Sequence, residues 1–341
     1  MPKNFLVTGG AGFIGSNYVH RLLSRGENVT ILDTLVRKGS QKNILWLRKL
    51  HGENSFQLIQ ADIRDYDKIR PAFANAEIVI HLAAQVAVTT SVDDPRTDFE
   101  VNALGTFNVL ESIRNSNKQT PILFASTNKV YGGMDDLNIS ESDTRYFFSD
   151  AQEGVSEERP LDFHSPYGCS KGAADQYVRD YSRMYQIPSV VFRQSCIYGP
   201  RQFGVEDQGW VAWFIIALLR GLPLTIYGDG KQVRDLLYID DLLNAYDSAL
   251  NNIAKISGEV FNIGGGVSNS ISVWKEFSKI IEKQKKPISE PKWQNWRPGD
   301  QKVYISNINK AKSRLNWIPS VSVEDGIARL YHWVEENLDL I

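Results

Sequence analysis

A phenol and an ammonium group lie four residues apart at Tyr167 and Lys171, a spacing that places both side chains on one face of a helix. A phenol with a solution pKa of about 10 is a poor base at neutral pH. An ammonium group about 6 Å away, at an effective dielectric constant of about 20, favours the phenolate by ~3 kcal/mol. We therefore expect this pair to remove a proton from a hydroxyl group.

A second proton-carrying group, Thr127, follows the short apolar run at 122–125. Open α/β sheets bind ligands at the carboxyl ends of their strands. The Thr127 hydroxyl is therefore predicted to hydrogen-bond the reacting oxygen and to pass its proton to Tyr167, with the next residue, Asn128, facing the same ligand. The alternative role of Thr127 is a cap at the end of the strand.

Glycines between a predicted strand at 5–8 and a predicted helix at 13–25 form two overlapping fingerprints. One is G-x-G-x-x-G from Gly10 and the other is G-x-x-G-x-x-G from Gly9, and both include Gly12 and Gly15. Missing side chains let the backbone approach a pyrophosphate, which then lies at the helix N-terminus. The alternative is a plain tight turn.

Asp33 ends the next predicted strand, eighteen residues after Gly15. A carboxylate at this distance from the glycines accepts hydrogen bonds from the ribose hydroxyls and repels a 2′-phosphate. This favours NAD over NADP, although Arg37 and Lys38 would suit the phosphate. The alternative role of Asp33 is a turn former at the strand end.

Short apolar runs alternate with helical stretches through the first half of the chain, which predicts a doubly wound parallel sheet of the Rossmann type. The predicted strands are 5–8, 29–32, 56–59, 78–81, 122–125, 189–192 and 261–264. Asp62 and Ile63 follow the third predicted strand, where the edge of an adenine ring is expected to lie. Small residues after the fourth predicted strand let a cofactor pass close to the sheet. We interpret His81, within the fourth run, as a core histidine with satisfied hydrogen bonds.

The alternation becomes irregular after Arg193 and predicts a smaller, mixed α/β lobe that binds substrate. The sequence divides into a cofactor domain at 1–193, with about 238–265 returning to the sheet, and a lobe at about 194–237 and 266–341. The stretch 133–165 contains nine acidic residues and two arginines and is expected to be a long surface excursion.

Composition excludes several classes of function. The 38 basic and 40 acidic residues give a formal charge of -2, which does not suit a protein that coats nucleic acid. Two cysteines and five scattered histidines offer no metal site. The longest apolar run, 210–219, has ten residues, about half of what a spanning helix needs. No signal peptide is evident, so we expect a cytoplasmic protein without membrane partners.

With these motifs the chain resembles the extended short-chain dehydrogenase/reductase family over essentially its whole length. The resemblance implies NAD as cofactor, a Thr127–Tyr167–Lys171 catalytic set and a nucleotide-linked sugar as substrate. The expected cofactor contacts are Gly9, Gly12, Phe13, Ile14, Gly15, Asp33, Lys38, Asp62, Ile63, Leu82, Ala83, Ala84, Gln85, Asn102, Tyr167 and Lys171. Members usually pair through helices near 99–117 and 167–185, which implies a homodimer or homotetramer.

Arginines in the irregular lobe suit a diphosphate, because the guanidinium fork matches phosphate oxygens. By resemblance Arg234 and Arg297 bind the diphosphate and ribose, and Tyr227 can flank the base. The expected substrate contacts are Thr127, Asn128, Arg201, Gln208, Tyr227, Arg234 and Arg297. For any one arginine the alternative is a surface ion pair, and Cys196 replaces an Asn that many members carry near the phosphates.

Within the family the strings 126–132, 161–177 and 201–210 resemble nucleotide-sugar 2-epimerases. Dehydratases carry an Asp-Glu pair where this chain has Asn128 and Lys129, which argues against loss of water. A 4-epimerase remains the alternative, because its catalytic set is otherwise the same. Inert NAD-binding regulators typically lose the Tyr or the Lys, and this chain keeps both.

Overall fold

Seven strands form the largest sheet of the computed structural model, which describes residues 1–116, 118–284, 290–297 and 300–341. In chain order the strands are β1 (Asn4–Thr8), β2 (Asn28–Asp33), β3 (Gln57–Gln60), β4 (Ile78–His81), β5 (Ile122–Thr127), β6 (Ile139–Glu141), β7 (Tyr146–Phe148), β8 (Ser189–Gln194), β9 (Cys196–Tyr198), β10 (Thr225–Tyr227), β11 (Val233–Tyr238), β12 (Glu259–Ile263), β13 (Ser270–Ser272), β14 (Lys292–Gln294) and β15 (Val303–Tyr304). The α-helices are α1 (Phe13–Ser24), α2 (Ser40–His51), α3 (Tyr66–Ile69), α4 (Val88–Asp93), α5 (Pro95–Phe99), α6 (Gly105–Arg114), α7 (Ser165–Tyr185), α8 (Trp210–Arg220), α9 (Ile239–Ile256), α10 (Phe277–Glu282), α11 (Asn309–Leu315) and α12 (Val323–Glu336).

The large sheet has the strand order β3-β2-β1-β4-β5-β8-β12. The pairs β1–β2, β1–β4, β2–β3 and β4–β5 are parallel. The direction of chain progress reverses between β1 and β4, and ligands bind beside the carboxyl ends of the strands at such a point. The doubly wound parallel sheet predicted from the sequence is confirmed, including the return of the chain at β12.

The apolar runs become strands because helices cover the faces of the sheet. Leu6, Val79 and Phe124 of three neighbouring strands lie in one cluster with Val109 of α6 and Val178 of α7, and each of these residues is at most 1% exposed. This packing fixes α7, which carries the predicted phenol and ammonium groups, against β5, which ends at the predicted threonine.

The chain divides into two compact units. The first contains residues 1–130, 165–193 and 246–261, and the second contains 131–164, 194–245 and 262–341. The second unit has both parallel and antiparallel strand pairs together with helices. The functional roles assigned to two domains from the sequence stay predictions, and residues 285–289 and 298–299 of the predicted lobe lie outside the described residues.

The acidic stretch 133–165 is more ordered than the sequence indicated. It contains the antiparallel hairpin of β6 and β7. Arg145 in the hairpin turn pairs with Glu276 at 2.5 Å, and Val155 pairs with Ser306 in a parallel bridge. Most of this excursion therefore belongs to the second unit, because hydrogen bonds and an ion pair hold it there.

None of the helices in the described ranges is long and apolar enough to cross a membrane. The ten-residue apolar run forms α8, in which six residues are buried, so its interpretation as a buried helix is confirmed. The cytoplasmic location stays a prediction.

A buried ion pair joins α7 to β8. Arg193 Nε and Nη2 donate to the Asp175 carboxylate at 3.0 and 3.1 Å, and the two side chains are 3% and 0% exposed. Ser126 Oγ of β5 donates to the same carboxylate at 2.8 Å. One carboxylate thus links α7 to two strands of the sheet.

We predict that Asp175→Asn lowers the free energy of unfolding by about 3 kcal/mol or more, because it leaves the buried Arg193 charge unpaired. Urea denaturation measures this change. Asp180→Asn, at an exposed position of the same helix, is the matched control and should change stability by less than about 0.5 kcal/mol. Equal effects of the two substitutions would contradict the assigned role of the pair.

Candidate active site

The turn between β1 and α1 is packed on one side and open on the other. Gly9 has φ 70°, and a Cβ there would lie 2.7 Å from Ala83 N. A Cβ on Gly15 would lie 2.2 Å from Gly9 O, so α1 rests directly on the turn. A Cβ on Gly12 would meet only Gly9 O, at 3.2 Å. Gly12 therefore leaves an open cradle at the N-terminus of α1, where Phe13 and Ile14 form the first turn, and this fits a diphosphate.

Asp33 holds the glycine turn with both carboxylate oxygens. Oδ2 accepts a hydrogen bond from Ala11 N at 3.0 Å and Oδ1 accepts one from Leu35 N at 2.9 Å. Burial raises the pKa of Asp33, and these two bonds and the nearby Arg37 oppose that rise. Each oxygen retains a lone pair, so Asp33 forms the turn and can also accept ribose hydroxyls.

His81 is fully buried and its ring nitrogens are both hydrogen-bonded. Nδ1 lies 2.6 Å from Thr8 Oγ1 and Nε2 lies 3.0 Å from Thr106 Oγ1. Because the Thr106 hydroxyl donates to Asn102 O, His81 Nε2 carries the proton. Burial, and then the charge of Lys171, lowers the pKa of His81 to about 3. The interpretation as a satisfied core histidine is confirmed.

Asp98, which the sequence analysis missed, is the centre of a buried network. Its side chain accepts hydrogen bonds from Gln85 Nε2 at 2.9 Å, Asn102 Nδ2 at 3.1 Å and Ser170 Oγ at 2.5 Å. Asn102 Oδ1 accepts from Gln85 N at 2.9 Å. The side chains of Gln85 and Asn102, expected to contact cofactor, are used within the protein, so they position the loop after β4. An acidic residue within an apolar helical pattern was the available signal.

Tyr167 and Thr127 meet as predicted: a hydrogen bond joins the hydroxyl groups and lowers the pKa of Tyr167. Burial acts more strongly in the other direction and, with the charge of Asp98, raises this pKa to about 12. Arg37 is the cation whose charge lowers it. In the chain by itself burial therefore outweighs the neighbouring positive charge, because spacing in the sequence gives the charge of a neighbour but not the cost of burying a phenolate.

Lys171 lies on the same face of α7 but turns toward the strand. Nζ donates to Ala125 O at 2.6 Å and lies 4.2 Å from the centroid of the Phe124 ring. Burial lowers the pKa of Lys171 to about 7, while Asp175 and Asp98 oppose this change. The ammonium group is thus held against β5 by a main-chain partner two residues before Thr127.

The remaining predicted cofactor residues have mixed surroundings. Leu82, Ala83 and Ala84 are partly exposed after β4, as an approaching ligand requires. Asp62 pairs with Arg64 at 2.7 Å, and this interaction lowers the pKa of Asp62. The side chain of Ile63 is buried in the core, so only its backbone can face a ligand, and Lys38 is exposed.

In the second unit Tyr227 and Arg297 come together. The Arg297 Cζ lies 3.9 Å from the centroid of the Tyr227 ring, and Nη2 pairs with Asp207 at 3.0 Å. Arg234 is 8% exposed and pairs with Asp300 at 2.6 Å. Both arginines therefore form ion pairs, and a diphosphate would have to replace carboxylates that the sequence analysis missed.

Arg201 and Gln208, both predicted to contact substrate, are held by contacts within the protein. Arg201 has φ 68°, its Cζ lies 5.6 Å from the centroid of the Trp333 ring, and burial lowers its pKa to about 10. Gln208 exchanges backbone hydrogen bonds with Val205. Asn128 Oδ1 lies 3.3 Å from Thr127 Oγ1, where it competes with the Tyr167 oxygen for the single hydroxyl proton of Thr127, so Asn128 lies beside the predicted reacting group.

Comparison with known proteins gives matches over nearly the whole chain. The family model described as GDP-mannose 4,6-dehydratase matches residues 6–330. The CDP-paratose 2-epimerase of Salmonella typhi is 43% identical over 337 residues, which are 96% of this chain and 98% of that protein. The UDP-glucose 4-epimerase of Thermotoga maritima, solved with UDP-glucose, has a TM-score of 0.83 and 32% identity, and the match covers 98% of this chain and 99% of that one. A dTDP-glucose 4,6-dehydratase of Streptomyces venezuelae, solved with NAD, has a TM-score of 0.85 and 28% identity, with coverage of 99% and 98%.

We predict that Gly12→Ala keeps the fold but weakens NAD binding on the order of 10-fold or more, because the new methyl group fills the open cradle. Gly15→Ala is the comparison variant, and it should lose stability because its Cβ would overlap Gly9 O. Calorimetric NAD titration and thermal unfolding measure the two effects. A Gly12→Ala protein that binds NAD like the wild type would refute the cradle.

Proposed function

The chain belongs to the GDP-mannose 4,6-dehydratase family of NAD-dependent nucleotide-sugar epimerases and dehydratases, and within it we propose that the chain inverts carbon-2 of a CDP-linked deoxyhexose, of the CDP-paratose to CDP-tyvelose type. The observation that carries the proposal is the 43% identity, over almost all of both chains, to a CDP-paratose 2-epimerase. Two features of the site support it: a hydrogen bond joins Thr127 to Tyr167, and Lys171, one helical turn after Tyr167, is buried with its Nζ on Ala125 O of β5.

NAD would be held at the cradle of Gly9, Gly12 and Gly15, with the ribose on Asp33. When bound there, NAD would supply the hydride acceptor for carbon-2 and then the hydride donor for the opposite face of a 2-keto sugar. The Tyr167 phenolic oxygen removes the proton of the carbon-2 hydroxyl and later gives a proton back. Thr127, which is hydrogen-bonded to the phenol, would hydrogen-bond the reacting oxygen and pass its proton to Tyr167, and Lys171 would supply positive charge.

The diphosphate of the substrate would bind Arg234 and Arg297, with Arg201 as a further substrate contact and Tyr227 against the base. Phosphate is a stronger partner for a guanidinium fork than a half-exposed carboxylate. The exposure of the present partners supports this exchange: Asp300 and Asp207 side chains are 25% and 48% exposed.

The chain is also proposed to form a homodimer or homotetramer through α6 and α7 with the turns before α6. Large apolar and aromatic side chains are exposed there, which is unusual for a surface that faces only water. They are Phe99 at 57%, Phe107 at 37%, Tyr177 at 47%, Met184 at 67% and Tyr185 at 46%. Asn117, at the end of the predicted pairing segment 99–117, lies outside the described residues.

The second candidate is a nucleotide-sugar 4-epimerase. It is favoured by the similarity to a UDP-glucose 4-epimerase at 32% identity and would use the same three catalytic residues. A 4,6-dehydratase is less well supported, because elimination of water needs an added acid and base and the positions after Thr127 are Asn128 and Lys129. An inert NAD-binding protein would not need the buried Tyr167 and Lys171.

Substrate deuterated at carbon-2 tests the proposal. Because the hydride is expected to return to the carbon from which it came, CDP-paratose labelled there and converted in ordinary water should give CDP-tyvelose with deuterium still at carbon-2. NMR spectroscopy of the product measures both the label and the configuration. Loss of label to solvent would contradict direct oxidation at carbon-2, and inversion at carbon-4 would select the second candidate.

We predict that Tyr167→Phe retains NAD but loses about 10³-fold or more in turnover, because it removes the group that exchanges the proton. Thr127→Ala should lose less, on the order of 10²-fold, because the phenol can still act directly. Tyr66→Phe, which changes a partly exposed phenol of α3 that has no role in the proposed site, is the control. Near-normal turnover of Tyr167→Phe would rule out the assigned base.

A further inference from the structure

Two carboxylates stand at the tip of a tight turn in the second unit. Val205 and Gln208 exchange both backbone hydrogen bonds, at 3.0 and 2.9 Å, so Glu206 and Asp207 form the loop between them. Gly209 follows with φ 72°, and α8 begins directly after it. The backbone hydrogen bonds therefore fix the ends of a turn that carries two acidic side chains.

Each of the two carboxylates contacts a side chain that is proposed to bind the substrate. The Tyr227 hydroxyl donates to Glu206 Oε1 at 3.2 Å, and Arg297 Nη2 lies 3.0 Å from Asp207 Oδ1. Because the Arg297 Cζ is 3.9 Å from the centroid of the Tyr227 ring, the flat guanidinium group covers the face of that ring. Asp207 thus accepts an N–H from a planar group in the layer directly above the ring.

Strand pairing fixes the ring and the arginine relative to each other. Tyr227 of β10 pairs with Gln294 of β14 in parallel register, and Gly228 N donates to Gln294 O at 2.9 Å. A Cβ on Gly228 would lie 2.8 Å from Trp296, so the strand that leads to Arg297 lies closely against the residue after Tyr227. The strand pairing of the fold therefore sets the position of Arg297 relative to the Tyr227 ring.

A pyrimidine stacked on Tyr227 would occupy the layer that the guanidinium group now fills. A diphosphate offers Arg297 a better partner than the half-exposed Asp207, and once Arg297 has moved, the carboxylate lacks its donor. Cytosine carries an amino group at its edge where uracil carries a carbonyl oxygen. A carboxylate only accepts hydrogen bonds, so it pairs with the cytosine amino group and repels the uracil carbonyl oxygen.

We propose that Asp207 selects a cytidine over a uridine diphosphate by accepting the hydrogen bond of the cytosine amino group. The proposal rests on the placement of the base beside Tyr227 in the proposed function and assigns the choice of base to one side chain. Glu206 has a different task, since it holds the hydroxyl group of the Tyr227 ring on which the base stacks.

Calorimetric titration of the NAD-loaded protein with CDP and with UDP tests the proposal. The wild type should bind CDP on the order of 10-fold more tightly or better, and Asp207→Asn should reduce this ratio to about threefold or less, since an amide also donates. Any effect on Arg297 cancels in the ratio, because both nucleotides carry the same diphosphate. Glu206→Gln should weaken both nucleotides and keep the ratio. Glu53→Gln, at an exposed position of the first unit, should change neither.

Equal binding of CDP and UDP by the wild type, or an unchanged ratio in Asp207→Asn, would overturn base selection by Asp207. If Asp207→Asn fails to fold, as judged from NAD affinity and thermal unfolding, Asp207→Ser provides the same comparison. The two proposals can fail separately. If Asp207→Asn loses the preference for CDP but the wild type does not invert carbon-2, the proposed epimerase function is wrong and the base selection stands. If the wild type inverts carbon-2 but Asp207→Asn keeps the preference for CDP, only the base selection is wrong.

Discussion

Burial of the Tyr167 phenol and the Lys171 ammonium group at the end of β5 is the constraint on which the site depends. Burial drives both groups toward their neutral forms, so the pKa of Tyr167 is raised to about 12 and that of Lys171 is lowered to about 7. In the role proposed for it, Tyr167 would ionise more readily once further positive charge arrived, and oxidised NAD would be a source of such charge.

Three charged side chains also shift the pKa values of Tyr167 and Lys171. Asp98 and Asp175 oppose the loss of the Lys171 proton, and Asp98 also opposes ionisation of Tyr167. Arg37 acts in the other direction, and its charge lowers the pKa values of both Tyr167 and Asp33. Arg37 thus electrostatically links the residue proposed to bind ribose with the residue proposed to move the proton, whereas the sequence analysis had weighed it only for a phosphate.

The sequence was most informative where local pattern determines structure. The strands, the glycine turn and the shared face of Tyr167 and Lys171 follow from periodicity and spacing alone. Asp98 and the carboxylate partners of Arg234 and Arg297 could not be read in this way, because each contact joins residues distant in sequence. The hairpin within 133–165 was not predicted either, although its paired residues are close in sequence. The cost of burying Tyr167 could not be read from spacing, because spacing gives a neighbour whereas burial comes from the whole fold.

Titration of the Tyr167 phenol with and without NAD tests this account most directly. Ultraviolet difference spectra between wild type and Tyr167→Phe isolate the single group. Without NAD the account predicts a pKa of about 12, and saturation with NAD should lower it by roughly one unit or more, as an added nearby positive charge does. A phenol that ionises at the ordinary value of about 10 without NAD, or a pKa that NAD leaves unchanged, would contradict it.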